Sequence, residues 1–365
     1  MGRGKKWLGA GAVLLVILVV FLVFRFARAA GALTSIIQEV DASCQMLDAV
    51  PGPEDIVIDR ERGFAFVSGT DRRLVMAGGE QAAGVRGGIY LIDLNDPVEQ
   101  WALQPVTPSE PERFLPHGIG LHIAADGARS LFAVNHPADA PDQVVIFDVD
   151  EDGRLSHRRT VSDPLLHNLN DVQPVGGEAF YATNDHGDGV SATVQDFLLL
   201  DQANLVYFDG QAVEVAADGL SYANGVNVSA DGTQIYVAET IDGALRIYDR
   251  DVASGTLELA DYVALGTGVD NIDVQENGDL LIGAHPKVLD FAAHADDPKA
   301  LSPSQVVLIE LKSGGGGKAR TVYLNKGDEL SGLAVAAGYG DIMLLGPVFQ
   351  PRILACERGD VASVP

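Results

Sequence analysis

The sequence predicts an all-β protein, a six-bladed β-propeller preceded by an N-terminal transmembrane helix. One observation is a strand unit that recurs six times, at a period of about 55 residues. A second is that Asp-Gly and Asn-Gly pairs, which favour tight hairpin turns, join strands within the unit. The third is a long apolar run near the N-terminus. In addition, 41 glycines among 365 residues suit a protein with many turns better than a helical bundle.

The apolar run covers residues 7–24 and follows Arg3, Lys5 and Lys6. A run of this length reaches the lower limit for a helix that spans a bilayer and is longer than the apolar region of most cleaved signal peptides. The leading basic residues favour a cytosolic N-terminus. The Ala-Arg-Ala triplet at 27–29 resembles a cleavage site, so secretion after cleavage is the alternative. In both cases the remaining chain is exported, to the periplasm or the cell exterior.

The repeated unit consists of a polar pair, a short apolar strand, a turn and a second strand. The pairs are Glu54–Asp55, His117–Gly118, Asn170–Asp171, Asn224–Gly225, Asp270–Asn271 and Ser331–Gly332. Most copies continue with a third alternating strand, as in VVIFDVD and QVVLIEL. Six antiparallel meanders of this kind are typical of a propeller. A doubly wound α/β fold is disfavoured because no amphipathic helices of adequate length separate the strands.

These elements divide the chain into five segments. They are a cytosolic N-terminus (1–6), a transmembrane signal anchor (7–26), a linker (27–43), the propeller domain (44–357) and a C-terminal tail (358–365). The two cysteines of the chain, Cys44 and Cys356, bracket the propeller. Because exported proteins fold in an oxidising compartment, the two cysteines predict a disulfide bond that joins the ends of the domain.

The net charge of the chain indicates which classes of partner it can bind. The chain carries 51 acidic and 25 basic residues, a net charge of −26. This excess repels a phosphate backbone, so nucleic acid is excluded as a partner. It is compatible with bound cations, which relieve the repulsion between carboxylates.

The polar pairs predict a cation site. The first strand of each propeller blade lines the central channel, and a polar pair precedes that strand in every copy, so the pairs gather at one mouth. The residues brought together are Glu54, Asp55, His117, Asn170, Asp171, Asn224, Asp270 and Asn271. Oxygen ligands of this kind suit calcium, whereas zinc and copper favour sulfur or imidazole. Any single pair is also explained as turn residues, but their repetition at one position favours the calcium site.

Three histidines are candidates for roles near this mouth. His117 opens the second blade, and His136 ends the second strand of the same blade. Such a pair suits a general base with an orienting partner, and equally a structural imidazole or a group that supports a metal ligand. His285 closes the equivalent strand of the fifth blade and is a candidate for the opposite wall of the pocket. The sequence has no Gly-x-Ser-x-Gly motif, so hydrolysis at this site would use metal-activated water.

Several segments resemble the paraoxonase/arylesterase family. They are PGPEDIVID, LPHGIGL, VNHP, LNDV, FYATNDH, YANGVNVSADG, GVDNIDV, GAHP and GPVFQPRILACE. The segments follow one another in the family's order between Cys44 and Cys356, and ANGVN, VDNI and TNDH together are specific. Since members of the family also keep an uncleaved apolar leader, the resemblance favours a bacterial-type, membrane-anchored member, with the membrane as a partner.

The resemblance implies a propeller that holds two calcium ions in its tunnel, one catalytic and one structural. The ligands of the catalytic ion fall on Glu54, Asn170, Asn224, Asp270 and Asn271, and those of the structural ion on Asp55, Asp171 and the backbone carbonyl of Ile119. The family's catalytic dyad falls on His117 and His136, with Glu54 as a rival general base. The implied activity is calcium-dependent hydrolysis of lactones and aryl esters, and promiscuously of organophosphates.

Two segments depart from the family pattern, 71–85 and 186–203, and they leave the acyl-chain preference open. Two other functions remain possible for this architecture. One is a sugar-lactone hydrolase of the gluconolactonase/regucalcin type with one divalent metal, although Asp55 and Asp171 supply a second site. The other is a non-catalytic, membrane-tethered propeller that binds a partner and uses calcium only for its structure.

Overall fold

The computed structural model describes residues 16–17, 19–36, 42–138, 140–312 and 316–358. Residues 19–29 form a helix, α1. Within these ranges, no helix is long and apolar enough to cross a membrane. The predicted cytosolic segment, the first half of the predicted anchor and nearly all of the predicted C-terminal tail lie outside the described residues.

The propeller predicted from the repeats is confirmed, because the described strands form six antiparallel sheets of four strands each. Blade one contains β2 (Ile56–Asp59), β3 (Phe64–Gly69), β4 (Gly88–Asp93) and β5 (Gln104–Pro105), and blade two contains β6 (Pro116–Ile123), β7 (Arg129–Asn135), β8 (Gln143–Val149) and β9 (Leu155–Val161). Blade three contains β10 (Leu169–Pro174), β11 (Phe180–Asn184), β12 (Ala203–Phe208) and β13 (Val213–Leu220), and blade four contains β14 (Ala223–Val228), β15 (Gln234–Glu239), β16 (Ala244–Arg250) and β17 (Leu257–Ala264). Blade five contains β18 (Gly268–Val274), β19 (Leu280–His285), β20 (Ser304–Leu311) and β21 (Gly317–Asn325), and blade six contains β22 (Leu333–Tyr339), β23 (Ile342–Pro347), β24 (Arg352–Glu357) and β1 (Cys44–Asp48).

Tight turns join the first two strands of a blade. Gly127 and Gly278 take φ values of +86° and +85°, a region that glycine adopts without the steric cost of a side chain. In the turn of blade two, the carboxylate of Asp126 accepts a hydrogen bond of 3.0 Å from the backbone N–H of Ala128. The Asp-Gly and Asn-Gly pairs in the sequence therefore mark real hairpins.

The core lies between the blades, because successive residues of a strand point to opposite faces of its sheet. On β7, Leu131 and Ala133 pack toward blade one, whereas Phe132 and Val134 pack toward blade three. The rings of Phe132 and Phe180 meet edge to face across that second interface, with centroids 6.0 Å apart. Burial of one large apolar side chain contributes about 1.5–3 kcal/mol, so each interface gives the ring of blades substantial stability.

The N-terminal strand closes the ring. β1 pairs antiparallel with β24 as the outermost strand of blade six, so the two ends of the domain share one sheet. Cys44 stands opposite Cys356 in this pairing, and the two form the predicted disulfide bond. The terminal disulfide is thus confirmed, and it holds the closing strand in place.

Removal of this disulfide should destabilise the whole domain, because the bond closes a loop with a sequence separation of 312 residues. We expect the C44S/C356S double variant to lose about 2–5 kcal/mol of unfolding free energy. Thermal denaturation should show a lower midpoint for the variant. Reduction of the unaltered protein should lower the midpoint by the same amount, and an unchanged midpoint in both samples would contradict a closing role for the bond.

Short helices cover one mouth of the propeller. They are α2 (Arg72–Ala77), α3 (Gly79–Ala83), α4 (Ala192–Leu198) and α5 (Val288–Asp296), and a 3₁₀ turn spans Val98–Gln100. α2 and α3 follow the second strand of blade one, and α4 and α5 follow the second strands of blades three and five. The segments that depart from the family pattern therefore contain three of these helices, which the sequence did not predict.

Candidate active site

The polar pairs coincide with irregularities in the first strands. Register shifts between the first and second strands fall at His117–Gly118, Asn170–Asp171, Asn224–Gly225 and Asp270–Asn271. A bulge leaves a residue unpaired in the ladder and re-aims its side chain. Two neighbouring residues would point to opposite faces of a regular strand. The bulge explains how both residues of a pair can lie at the channel.

Buried oxygen atoms form the outer tier of the site, at the mouth. Glu54, Asn170, Asn224, Asp270 and Asn271, the predicted ligands of the catalytic ion, are all buried. One oxygen of Asp270 and the amide oxygens of the three asparagines are buried without a hydrogen-bond partner. Unpaired buried acceptors are rare because each carries a desolvation cost of about 1–3 kcal/mol. Their concentration at one mouth indicates a cation site.

The orientation of two of these amides follows from their neighbours. The Asn271 side-chain N–H donates to a carboxylate oxygen of Glu54 at 2.8 Å, and a carboxylate can only accept. The Asn224 side-chain N–H donates to the Thr240 hydroxyl at 3.1 Å, and that hydroxyl donates its own proton to a backbone carbonyl. Both amides therefore direct their N–H groups into the protein and leave their oxygens free.

The inner tier consists of Asp55 and Asp171, which connect neighbouring blades. Asp55 accepts the backbone N–H of Ile119 at 2.7 Å, and Asp171 accepts that of Val226 at 2.8 Å. Burial and the charges of Asp171 and Glu54 raise the pKa of Asp55 well above its usual value. Burial likewise raises the pKa of Asp171, to about 7, although two backbone N–H groups oppose it. The N–H of Ile119 thus contacts Asp55, and the predicted metal-ligand role of its carbonyl stays a prediction.

The two candidate dyad histidines are in contact. The His117 Nδ1 lies 3.0 Å from the His136 Nε2, and the His136 Nδ1 lies 2.8 Å from a carboxylate oxygen of Asp142. Asp142 also accepts the backbone N–H of Leu169, which fixes its position. The sequence did not identify Asp142, since it stands in the turn before β8, outside the repeated unit.

Glu54 lies between the His117–His136–Asp142 hydrogen-bond chain and the other outer-tier oxygens, which together with Glu54 form the oxygen ring. Its carboxylate is 3.5 Å from the His117 Nε2 and 3.4 Å from the guanidinium of Arg72. Burial raises the pKa of Glu54, but His117, Arg72 and the Asn271 hydrogen bond together lower it to about 2. Burial lowers the pKa of His117, although the charge of Glu54 opposes this. Arg72, in one of the divergent segments, is a site residue that the sequence did not identify.

His285 lines the cavity, as its position in the fifth blade suggested. Its Nε2 donates to the Asp270 carboxylate at 2.7 Å, and its ring stacks on Phe291 with centroids 4.0 Å apart. Burial raises the pKa of Asp270 despite this hydrogen bond. His285 therefore orients a predicted metal ligand, and no motif in the sequence indicates that contact.

His186, to which the sequence assigned no role, fixes the position of α4. Its two ring nitrogens contact the carboxylates of Asp185 and Asp196 at 2.7 and 2.9 Å. Burial lowers the pKa of His186, but the two carboxylates raise it to about 9. Since Asp196 belongs to α4 and Asp185 follows β11, this ion-paired imidazole holds the helix over the mouth.

A cavity of about 670 Å³ opens above the oxygen ring. Its floor includes Glu54, His117, Asn170, Asn224 and Asp270, so residues from five blades reach one space. Its walls are mainly apolar and come from α1, α2, α4, α5 and the loop after β23. A few convergent polar groups beneath apolar walls are typical of a small-molecule site.

The described residues contain no group of three or more His, Cys, Asp or Glu side chains arranged for a metal ion. The chemistry of the ring explains this result, because three of the five outer-tier residues are asparagines. Amide oxygens are ordinary calcium ligands. The donor set therefore fits a hard cation better than a transition metal.

The mouth thus offers a hydrogen-bonded histidine pair beside a candidate cation site, beneath a cavity suited to a small organic molecule. Fold and site together place the chain among the propeller hydrolases. The arylesterase family model matches residues 36–358, and the chain belongs to this family of ester hydrolases. The family membership expected from the motifs is confirmed.

Known relatives cover most of the chain. Serum paraoxonase/arylesterase 1 of Rattus norvegicus is 36% identical over 279 residues, which are 74% of this chain and 77% of the relative. The Homo sapiens protein of the same name is 34% identical over 330 residues, which are 86% of this chain and 88% of the relative.

Solved structures share the architecture at low sequence identity. A luciferin-regenerating enzyme has a TM-score of 0.53 and 12% identity, over 88% of this chain and 96% of that chain. A gluconolactonase from Xanthomonas campestris has a TM-score of 0.50 and 15% identity, over 89% of this chain and 92% of that chain. Similarity at this level shows the propeller fold alone.

Proposed function

We propose that this ester hydrolase is a calcium-dependent lactonase and arylesterase that acts at the mouth of the propeller. The observation that carries the proposal is the set of unpaired buried oxygens on Asn170, Asn224, Asp270 and Asn271, next to the His117–His136 pair. Membership of the arylesterase family and similarity to serum paraoxonase/arylesterases support the substrate class. The sugar-lactone and non-catalytic alternatives have no comparable support, because the gluconolactonase similarity extends only to the fold.

Glu54, Asn170, Asn224, Asp270 and Asn271 would hold the catalytic calcium ion, and Asp55, Asp171 and the Ile119 carbonyl a structural one. Burial raises the pKa of Asp55 and of Asp171, and repulsion from neighbouring carboxylates adds to this effect, so a bound cation would relieve part of it. When bound, calcium supplies Lewis acidity that polarises the substrate carbonyl and offsets the charge on its oxygen.

The hydrogen-bond chain favours His117 as the proton acceptor. The Asp142 carboxylate accepts, so the His136 Nδ1 carries a proton and its Nε2 is free to accept one from the His117 Nδ1. The lone pair of His117 then lies on its Nε2, the nitrogen that faces Glu54 in the oxygen ring. Glu54 stays the rival base, because its carboxylate lies 3.5 Å from the same nitrogen.

The reaction follows from this arrangement. The His117 Nε2 takes a proton from a water whose oxygen bonds to the carbonyl carbon of the ester or lactone. The bond from that carbon to the ester oxygen then breaks, and the proton passes from His117 to the leaving oxygen. The products are a carboxylic acid with an alcohol or phenol, or a hydroxy acid from a lactone. Organophosphates would enter the same site as promiscuous substrates.

We also propose that the chain is exported and held at a membrane by its retained leader. The run of apolar residues at 7–24 is long enough to span a bilayer, and the Cys44–Cys356 bond is typical of an oxidising compartment. Phe26, which precedes the candidate cleavage site, packs against Phe197 of the propeller domain, and this contact favours retention over cleavage.

A substrate panel tests the proposed function. The purified full-length chain should hydrolyse phenyl acetate and at least one lactone from a series of varied ring size and side chain. EDTA should abolish the hydrolysis, and added calcium should restore it. The absence of chelator-sensitive hydrolysis of every lactone and aryl ester would refute the proposal.

A further inference from the structure

The C-terminal end of α1 is docked against the propeller. Ala30 is buried, and its carbonyl accepts a hydrogen bond from the backbone N–H of Leu289, in α5, at 3.4 Å. Gly31 takes a φ of +67° and packs so closely on Pro286 that a side chain at this position would clash with the Pro286 backbone. Glycine is therefore required both by the helix end and by the contact.

The same turn of helix reaches the cavity. Phe26, Ala29 and Ala30 line the cavity together with residues of α4 and α5. The Phe26 ring lies 5.1 Å from the ring of Phe197 on α4, centroid to centroid. α1 thus contributes an aromatic side chain to the apolar wall, opposite in character to the oxygen ring of the floor.

The rest of α1 does not share this contact. Phe21 and Phe24 are 54% and 57% exposed, and neither lines the cavity. Arg25 and Arg28 line a neighbouring groove, where the charge of Arg25 lowers the pKa of Asp242 against the larger effect of burial. The inward position of Phe26 is therefore specific to one side of the last helical turn.

We propose that Phe26 is a specificity-determining residue, and that the last turn of α1 is a wall of the substrate pocket that contacts the acyl chain. This inference rests on the proposed ester hydrolysis. It gives the leader a function besides attachment, because cleavage after Ala29 would remove Phe26 and open the wall. Preference for long acyl chains then depends on retention of the leader.

Phenyl esters that differ only in acyl chain length, and so share one leaving group, test whether Phe26 contacts the acyl chain. The ratio of kcat/KM for phenyl decanoate to that for phenyl acetate should fall about tenfold in full-length F26A, since each methylene that loses an apolar contact costs about fourfold. F24A, with an exposed phenylalanine removed from the same helix, should keep the ratio of the unaltered chain. A ratio in F26A that is unchanged or raised would overturn the inference while the hydrolase function stands.

Binding of decanoate, measured by calorimetry, decides the question without turnover. F26A should bind decanoate about tenfold more weakly than the unaltered chain and F24A. Equal binding to all three proteins would overturn the proposal that Phe26 forms a wall of the substrate pocket. An unaltered chain that binds decanoate through Phe26 but hydrolyses no ester would refute the proposed function and leave the wall in place.

Discussion

Replacement of Asp270 by alanine should reduce kcat/KM for lactones and aryl esters at least about a thousandfold. Asp270 is the buried ring residue that combines a negative charge with an unpaired oxygen, and its other oxygen is held by His285. Its loss removes a charged member of the predicted ligand set, which is otherwise rich in neutral amides. Calcium content, measured by atomic absorption after dialysis, should fall together with the rate.

Asp273 provides a matched control on the same strand. It is also buried, but its carboxylate is neutralised by Arg60 at 2.8 Å and accepts the backbone N–H of Gly338 at 2.8 Å. D273A should lower the thermal midpoint while calcium content and kcat stay close to those of the unaltered protein. If D270A kept its calcium and a rate within about tenfold of normal, the outer site would not be the catalytic one.

The two tiers of the ring explain why loss of Asp270 should affect chemistry more than folding. Asp55 and Asp171 each accept a backbone N–H from the next blade, so they join blades one to two and three to four. Asp270 makes its hydrogen bond to a side chain within its own blade. The inner aspartates are therefore part of the framework, whereas the outer one lines the cavity and keeps one oxygen unpaired.

The sequence predicted those parts of the molecule that repeat. The polar pairs occupy one position in successive blades, and tight turns with glycine follow them, so both the propeller and its ring were evident from the spacing. The disulfide was evident because two cysteines at the ends of an exported domain have one possible intramolecular partner each.

The residues that the sequence missed lie in connections that do not repeat. Arg72 reaches Glu54 from a short helix, and Asp142 reaches His136 from a turn. Neither contact has a fixed spacing, because the length and path of each connection decide which side chain arrives at the mouth. The same holds for Phe26, whose position depends on how the leader packs on the finished propeller.

Replacement of His117 by glutamine should lower kcat about a hundred- to ten-thousandfold and leave calcium binding intact. Glutamine preserves a polar side chain at this position, but it has no basic nitrogen to take a proton from water. Because the His117 Nε2 is 3.5 Å from Glu54, the variant is compared for calcium content as well as rate. A parallel fall in both would mean that His117 supports the metal ligands instead of acting as the base.

Two further variants separate the base from its orienting partner and from Glu54. H136Q should reduce kcat less than H117Q, since it weakens the hydrogen bond that fixes the His117 tautomer but keeps the accepting nitrogen. H122Q, at the other end of β6, should behave as the unaltered protein does. If H117Q retained more than about a tenth of kcat, the proton would have another acceptor, and Glu54 would become the leading candidate for the general base.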